Sequence, residues 1–118
     1  MIQKIFVIVI AIQHIAFCVL EMFLWNSDVG RKIFRTTPEF AASSSALAAN
    51  QGLYNLFLAG GLIFSLFATT PEMARSLQFY FLGCVFIAGL YGAYSVSKNI
   101  FFVQAIPALI ALALTYKA

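Results

Sequence analysis

Charge is scarce in this sequence. Of its 118 residues only 9% are charged, while 63% are hydrophobic and 16% aromatic. A soluble domain carries about 25% charged residues and about half apolar ones, and a small fold buries only part of its surface. So few charges could not cover so many apolar side chains in water. An ordinary soluble globular domain and a disordered chain are therefore excluded. So is a nucleic-acid module, because the seven lysines and arginines form no basic patch interleaved with aromatics. Histidine occurs once and cysteine twice. One histidine builds no familiar zinc site. Cys18 and Cys84 each sit inside an apolar run, where cysteine behaves as a small hydrophobe, and they offer neither a disulfide framework nor a metal-ligand spacing. A haem on His14 alone would lack a second ligand and an attachment motif. Glycine-rich phosphate loops, nucleophile elbows and paired-histidine motifs are missing, so no metal and no cofactor is expected.

What the chain has in place of charge is length of apolar sequence. A membrane-spanning helix needs about 20 mainly apolar residues, and four stretches qualify: residues 5–25, 53–68, 77–94 and 100–116. The first is longer than a signal-peptide core and has no small-x-small cleavage site after it, so it is expected to stay as a helix. The sequence thus predicts one all-α integral membrane domain over 1–118, a four-transmembrane-helix bundle with a long, partly helical first connection. Thr36-Thr37-Pro38-Glu39-Phe40-Ala41 recurs as Thr69-Thr70-Pro71-Glu72-Met73-Ala74. Threonine caps exposed amides, proline suits the first helical position and an early glutamate complements the positive helix end, so both strings mark helix starts. An alanine- and serine-rich lead-in, Ala41 to Ala49, runs from the first of them into the second span. Asn99 is placed as the cap of the fourth helix, and Pro107 inside that helix should kink it.

Four spans put both termini on one side. Lysine and arginine then divide as Arg31, Lys32, Arg35 and Lys98 against Lys4, Arg75 and Lys117. The local run Arg31-Lys32-Arg35 favours a cytoplasmic first connection. Ala88-x-x-x-Gly92 and Gly89-x-x-x-Ala93 offer small-residue faces where helices pack closely, within the bundle or between copies, so Gly89 and Gly92 are packing positions and a homo-oligomer, dimer or trimer, is expected.

Ten of the eleven charged residues fall at span ends or in connections; the exception is Glu21. An ionisable group in hydrocarbon costs at least about 2.5–3.5 kcal/mol and marks function more often than elsewhere. His14, Cys18, Glu21 and Trp25 follow spacings of four, three and four and share a helix face. The second span starts where the first ends and brings Gln51, Tyr54 and Asn55 to the same depth, the third brings Tyr91, Tyr94 and Ser95, and the fourth Asn99 and Gln104. Glu21, His14, Gln51, Tyr54, Asn55 and Gln104 are therefore candidate ligand-binding residues, with Glu21 as anchor and His14 as a proton relay. An aromatic belt and interhelix hydrogen bonds would account for the tyrosines and amides without a ligand.

Glu21-Met22-Phe23-Leu24-Trp25, followed by Ala48-Ala49-Asn50-Gln51-Gly52-Leu53-Tyr54-Asn55-Leu56-Phe57-Leu58-Ala59, resembles a family of small membrane proteins, the domain-of-unknown-function family thirteen-zero-four. The likeness, to a family found in bacteria and fungi, covers essentially the whole chain and implies an integral membrane protein, with Glu21 and Asn50 to Asn55 as motif positions; the bacterial plasma membrane is the expected location. Leu56-Phe57-Leu58-Ala59 and Arg75 to Gly83 are also similar to the membrane-associated eicosanoid and glutathione metabolism family, whose four-helix bundles form trimers. The arginine and glutamate flanking the asparagine in that family's second helix are absent, Ser45 and Gly52 standing near their places, so only the architecture carries over. Small multidrug transporters share four spans and a first-helix glutamate, but their short first loop does not match. Three functions follow as expectations: a membrane protein binding or transporting a small molecule or proton around Glu21, a membrane enzyme using the same pocket, or a non-catalytic accessory bundle whose partner face contains Gly89 and Gly92.

Overall fold

Five α-helices and no strand make up residues 1–118 in the computed structural model. They are α1 (Ile2–Met22), α2 (Asp28–Phe34), α3 (Pro38–Leu66), α4 (Pro71–Ser95) and α5 (Ile106–Lys117), the last entered through a π-helical turn, Phe101–Ala105. The protein is all-α. Two helices, α1 and α4, are long and apolar enough to cross a membrane, and Phe101–Lys117 is apolar but shorter.

The repeated Thr-Thr-Pro strings begin α3 and α4. Thr37 Oγ1 accepts from the Phe40 backbone N–H at 3.1 Å, and Thr70 Oγ1 accepts from that of Met73 at 3.2 Å. Each threonine satisfies a donor that a helix start leaves unpaired, and proline follows where its missing N–H costs nothing. The serine run inside α3 is self-satisfied: the hydroxyls of Ser43 and Ser44 donate to the Phe40 carbonyl and that of Ser45 to Ala42. Such back-bonding lets a polar string continue a helix without needing water.

Helix α1 stops at Met22, three residues short of Trp25, because Ser27 competes for the chain. The Ser27 hydroxyl donates to the Leu24 carbonyl at 2.6 Å and accepts from the Gly30 N–H at 3.1 Å, capping α2. Trp25 therefore lies beyond the helix. Its indole N–H donates to Ser44 Oγ at 3.1 Å and its ring lies 4.9 Å from that of Phe34. Arg35 ends α2 in the left-handed conformation, φ 56°, with its N–H on the Arg31 carbonyl. Ahead of α5, the Asn99 N–H donates to Ser97 Oγ at 3.3 Å, so the serine hydroxyl, rather than the asparagine amide, bonds backbone at this turn. Pro107 is accommodated by the π turn just before it, in which the Ile106 N–H reaches five residues back to the Phe101 carbonyl.

The helices pack as two compact units. One comprises Met1–Ala11 with Leu58–Ala118, and its core is built from Val7, Ile10, Leu62, Leu82, Val85, Ala108 and Ala111. Here α4 meets the π turn at Gly89: a Cβ on this glycine would stand 2.7 Å from the Ala105 backbone nitrogen and 2.9 Å from its Cα. Gly92 faces the Ile100 side chain in the same way, at 3.1 Å. Both glycines thus serve packing within the chain. The other unit is Ile12–Phe57: the second part of α1, all of α2 and most of α3.

Candidate functional site

Gly52 builds the site in the second unit. A Cβ there would lie 2.7 Å from Met22 Cγ, 3.1 Å from the Cys18 carbonyl oxygen and 3.1 Å from Glu21 Cβ, so only glycine lets α3 come this close to the last turn of α1. Asn55 follows three residues later on the same helix face. Its Nδ2–H donates to Glu21 Oε1 at 2.6 Å, a charge-assisted distance if Glu21 is ionised. No other group of the chain bonds Glu21, and the chain's ion pair, Arg31 with Asp28 at 2.5 Å, lies in α2. Half-buried Glu21 thus has one oxygen held and the other open. A carboxylate has capacity for about four donors, so this group can accept a proton or a ligand's N–H or O–H without breaking its bond to Asn55.

Below Glu21 on α1 the environment is softer. Cys18 is buried, its thiol 3.5 Å from the Met22 thioether sulfur. His14 is fully buried, with its ring edge-on to Phe17 at 5.3 Å. Gln51 and Tyr54 are exposed on α3, with the Tyr54 ring 6.2 Å from Phe57. Gly52 and Asn55 turn towards α1, which leaves those two side chains facing away. Gln104 belongs to the first unit, where its amide donates to the Val85 carbonyl at 3.4 Å. Of the six candidate residues, then, hydrogen bonding unites Glu21 and Asn55.

A second polar group was invisible to sequence reasoning. In the first unit the Gln3 amide N–H donates to Gln78 Oε1 and, at 3.0 Å, to Thr115 Oγ1, joining the first turn of α1 to α4 and α5. Gln78 and Thr115 are both buried. Each of the three is a single polar residue in apolar surroundings, and positions 75 and 112 residues apart share no periodicity that could connect them.

The sequence profile of the family described as protein of unknown function (DUF1304) matches residues 8–116. The chain belongs to this family. Among curated relatives, the DUF1304-family chain is similar to the uncharacterized protein YpaA of Lactococcus lactis, 29% identical over 109 residues that cover 89% of this chain and 88% of YpaA. No solved structure gives a significant match. The part of the chain matched to DUF1304 contains Glu21, Gly52, Asn55, Gln78 and Thr115, whereas Gln3 precedes it.

Proposed function

We propose that this DUF1304 protein is a four-span integral membrane protein of the bacterial plasma membrane that binds or moves a small molecule or proton at Glu21. The observation that carries the reading is a carboxyl held by one amide at 2.6 Å, with its other oxygen open and no cation bonded to it. The membrane setting is supported by α1, which is apolar on both sides. Val7, Ile10, Ala11, His14 and Cys18 form its buried stripe, yet the opposite face, Ile5, Ile8, Val9, Ile12, Ile15 and Val19, is exposed. A helix hydrophobic all round belongs in a core or a bilayer, and lipid would cover this outer face. The second half of α3, and the π turn with α5, supply the remaining two spans, and the bacterial relative supports the location.

Asn55 orients the Glu21 carboxyl, and Gly52 brings the two together. His14, seven residues earlier on α1, is about 10 Å away along the axis, so a proton passes between them through ordered water. Homo-oligomers fit the exposed Gln51 and Tyr54 of α3, because a second copy would supply partners that hydrocarbon lacks.

Purified protein in liposomes loaded with a pH-sensitive dye tests the reading. An imposed pH gradient should dissipate through wild type, and Glu21→Gln should reduce the flux to that of empty liposomes. Equal flux through wild type and Glu21→Gln overturns it.

A further inference from the structure

A cavity of about 510 Å³ opens among the helix ends of the first unit, around the Gln3 cluster. That lies inside the size range of small-molecule sites, about 300–1,000 Å³. Its floor is polar, formed by Gln3, Gln78 and Thr115. Gln78 is only 6% exposed, and its amide nitrogen has no partner in the chain; nor has the side-chain oxygen of Gln3. Gln3 is half-buried and neither atom is sealed from solvent, so this donor and acceptor are accessible to a molecule that enters the cavity.

The rim sets the charge of that ligand. Among side chains, Lys4 and Arg75 contribute two cations and Glu72 one carboxylate, and the Ala118 main-chain oxygen lies beside them on Arg75. Arg75 is fixed in place: it donates to the Tyr116 carbonyl and, at 3.0 Å, to the main-chain oxygen of Ala118, with its guanidinium 5.8 Å over the Phe79 ring. A guanidinium has five N–H donors, so these two bonds leave others for an anion. The positive end of α4, beginning at Pro71, adds to the attraction. A simple anion would face Glu72 unpaired, and a simple amine would face Lys4 and Arg75. A molecule carrying both charges satisfies all three.

We infer that the cavity bounded by Gln3, Gln78, Thr115, Lys4, Glu72 and Arg75 binds a zwitterionic phosphate ester of the phosphoethanolamine type. The phosphate lies against Lys4, Arg75 and the start of α4. The ammonium lies against Glu72, and the amides of Gln3 and Gln78 bond the ester oxygens. The same chemistry reaches the cavity either as a phospholipid headgroup or as the free ester.

The full-length protein serves for two arms. Free phosphoethanolamine is titrated onto protein in a sugar-based detergent by calorimetry, with glycerol phosphate as the single-charge control. In parallel, native mass spectrometry measures which lipid stays bound after exchange from nanodiscs of mixed phosphatidylethanolamine and phosphatidylglycerol. Binding of the ester in both arms, in the lipid arm alone or in the free arm alone supports the site and tells its source. Glu72→Gln, a change on an exposed first turn, should remove the preference over glycerol phosphate or phosphatidylglycerol. Gln78→Leu should weaken binding by about tenfold, the loss expected for one buried hydrogen bond. Melting without ligand shows that each variant is folded. Binding in neither arm, no preference for the zwitterion, or binding unchanged in Glu72→Gln overturns the inference. Glu21→Gln should bind like wild type, which keeps this outcome separate from the proton-flux result.

Discussion

At the end of α1 a carboxyl meets one amide, Glu21 with Asn55; at its start an amide meets two neutral groups, Gln3 with Gln78 and Thr115. The second arrangement joins three helices and is neutral throughout. The first joins two and carries an ionisable group whose second oxygen is open. The contrast shows how an apolar chain handles two kinds of polar cost. Neutral amides cost less to bury than a charge and can satisfy one another, as Gln3 does with Gln78 and Thr115. A carboxyl is more expensive to bury, so its surroundings must be shaped more tightly, and here Gly52 does this by removing a side chain from the approaching helix.

The contrast can be broken most severely at Gly52. Gly52→Val puts side-chain atoms where the Cys18 carbonyl and Glu21 Cβ stand, and should destabilise the protein by about 3 kcal/mol, the upper end for overpacking. Denaturant unfolding in detergent would measure it, and a cost under about 1 kcal/mol would show that α1 and α3 are free to separate. Asn55→Leu leaves Glu21 without its partner and should cost about 2 kcal/mol, as for hydrogen bonds to charged groups. In Glu21→Gln the amide oxygen still accepts from Asn55, so stability should change by less than about 1 kcal/mol, the scale of a neutral hydrogen bond, even while flux is lost.

The two caps provide an internal control, one in each unit. Thr37→Ala and Thr70→Ala should each cost about 1 kcal/mol, because the two hydroxyls make the same bond. Unequal losses in thermal melts would mean that one unit unfolds ahead of the other. Gln78→Leu should be the mildest, about 0.6 kcal/mol, the average for interhelix hydrogen bonds in a membrane protein. If Gln78→Leu cost more than Asn55→Leu, the neutral cluster would be the more tightly shaped site and the contrast would reverse.

How much of this can be read from sequence depends on how local the cause is. Thr37 and Thr70 act on amides three residues away, so the repeated strings are sufficient to place both helix starts. Glu21 stands out because every other charge sits at the end of an apolar stretch or in a connection, and its nearness to Asn55 follows from the antiparallel return of the chain. The facing of α3 is harder: Gln51, Tyr54 and Asn55 lie within one turn or so of each other, and what turns Asn55 inward is the missing side chain of Gly52. The end of α1 at Met22 rests on a hydroxyl of Ser27 making two bonds at once, which apolar periodicity does not reveal. Gln3, Gln78 and Thr115 come together only through packing of distant helices, and no local pattern announces them.

The π turn at Phe101–Ala105 has a bearing on chain length. A turn closed by a bond five residues back holds one residue more than a regular helix would use over the same stretch. Removing a single residue between Phe102 and Gln104 would close the turn to ordinary α-helix and set the Pro107 ring against the carbonyl four residues before it. The segment before Pro107 thus has a fixed length: one residue more or fewer there would disturb the seating of Ala108, Ala111 and Thr115 beyond it.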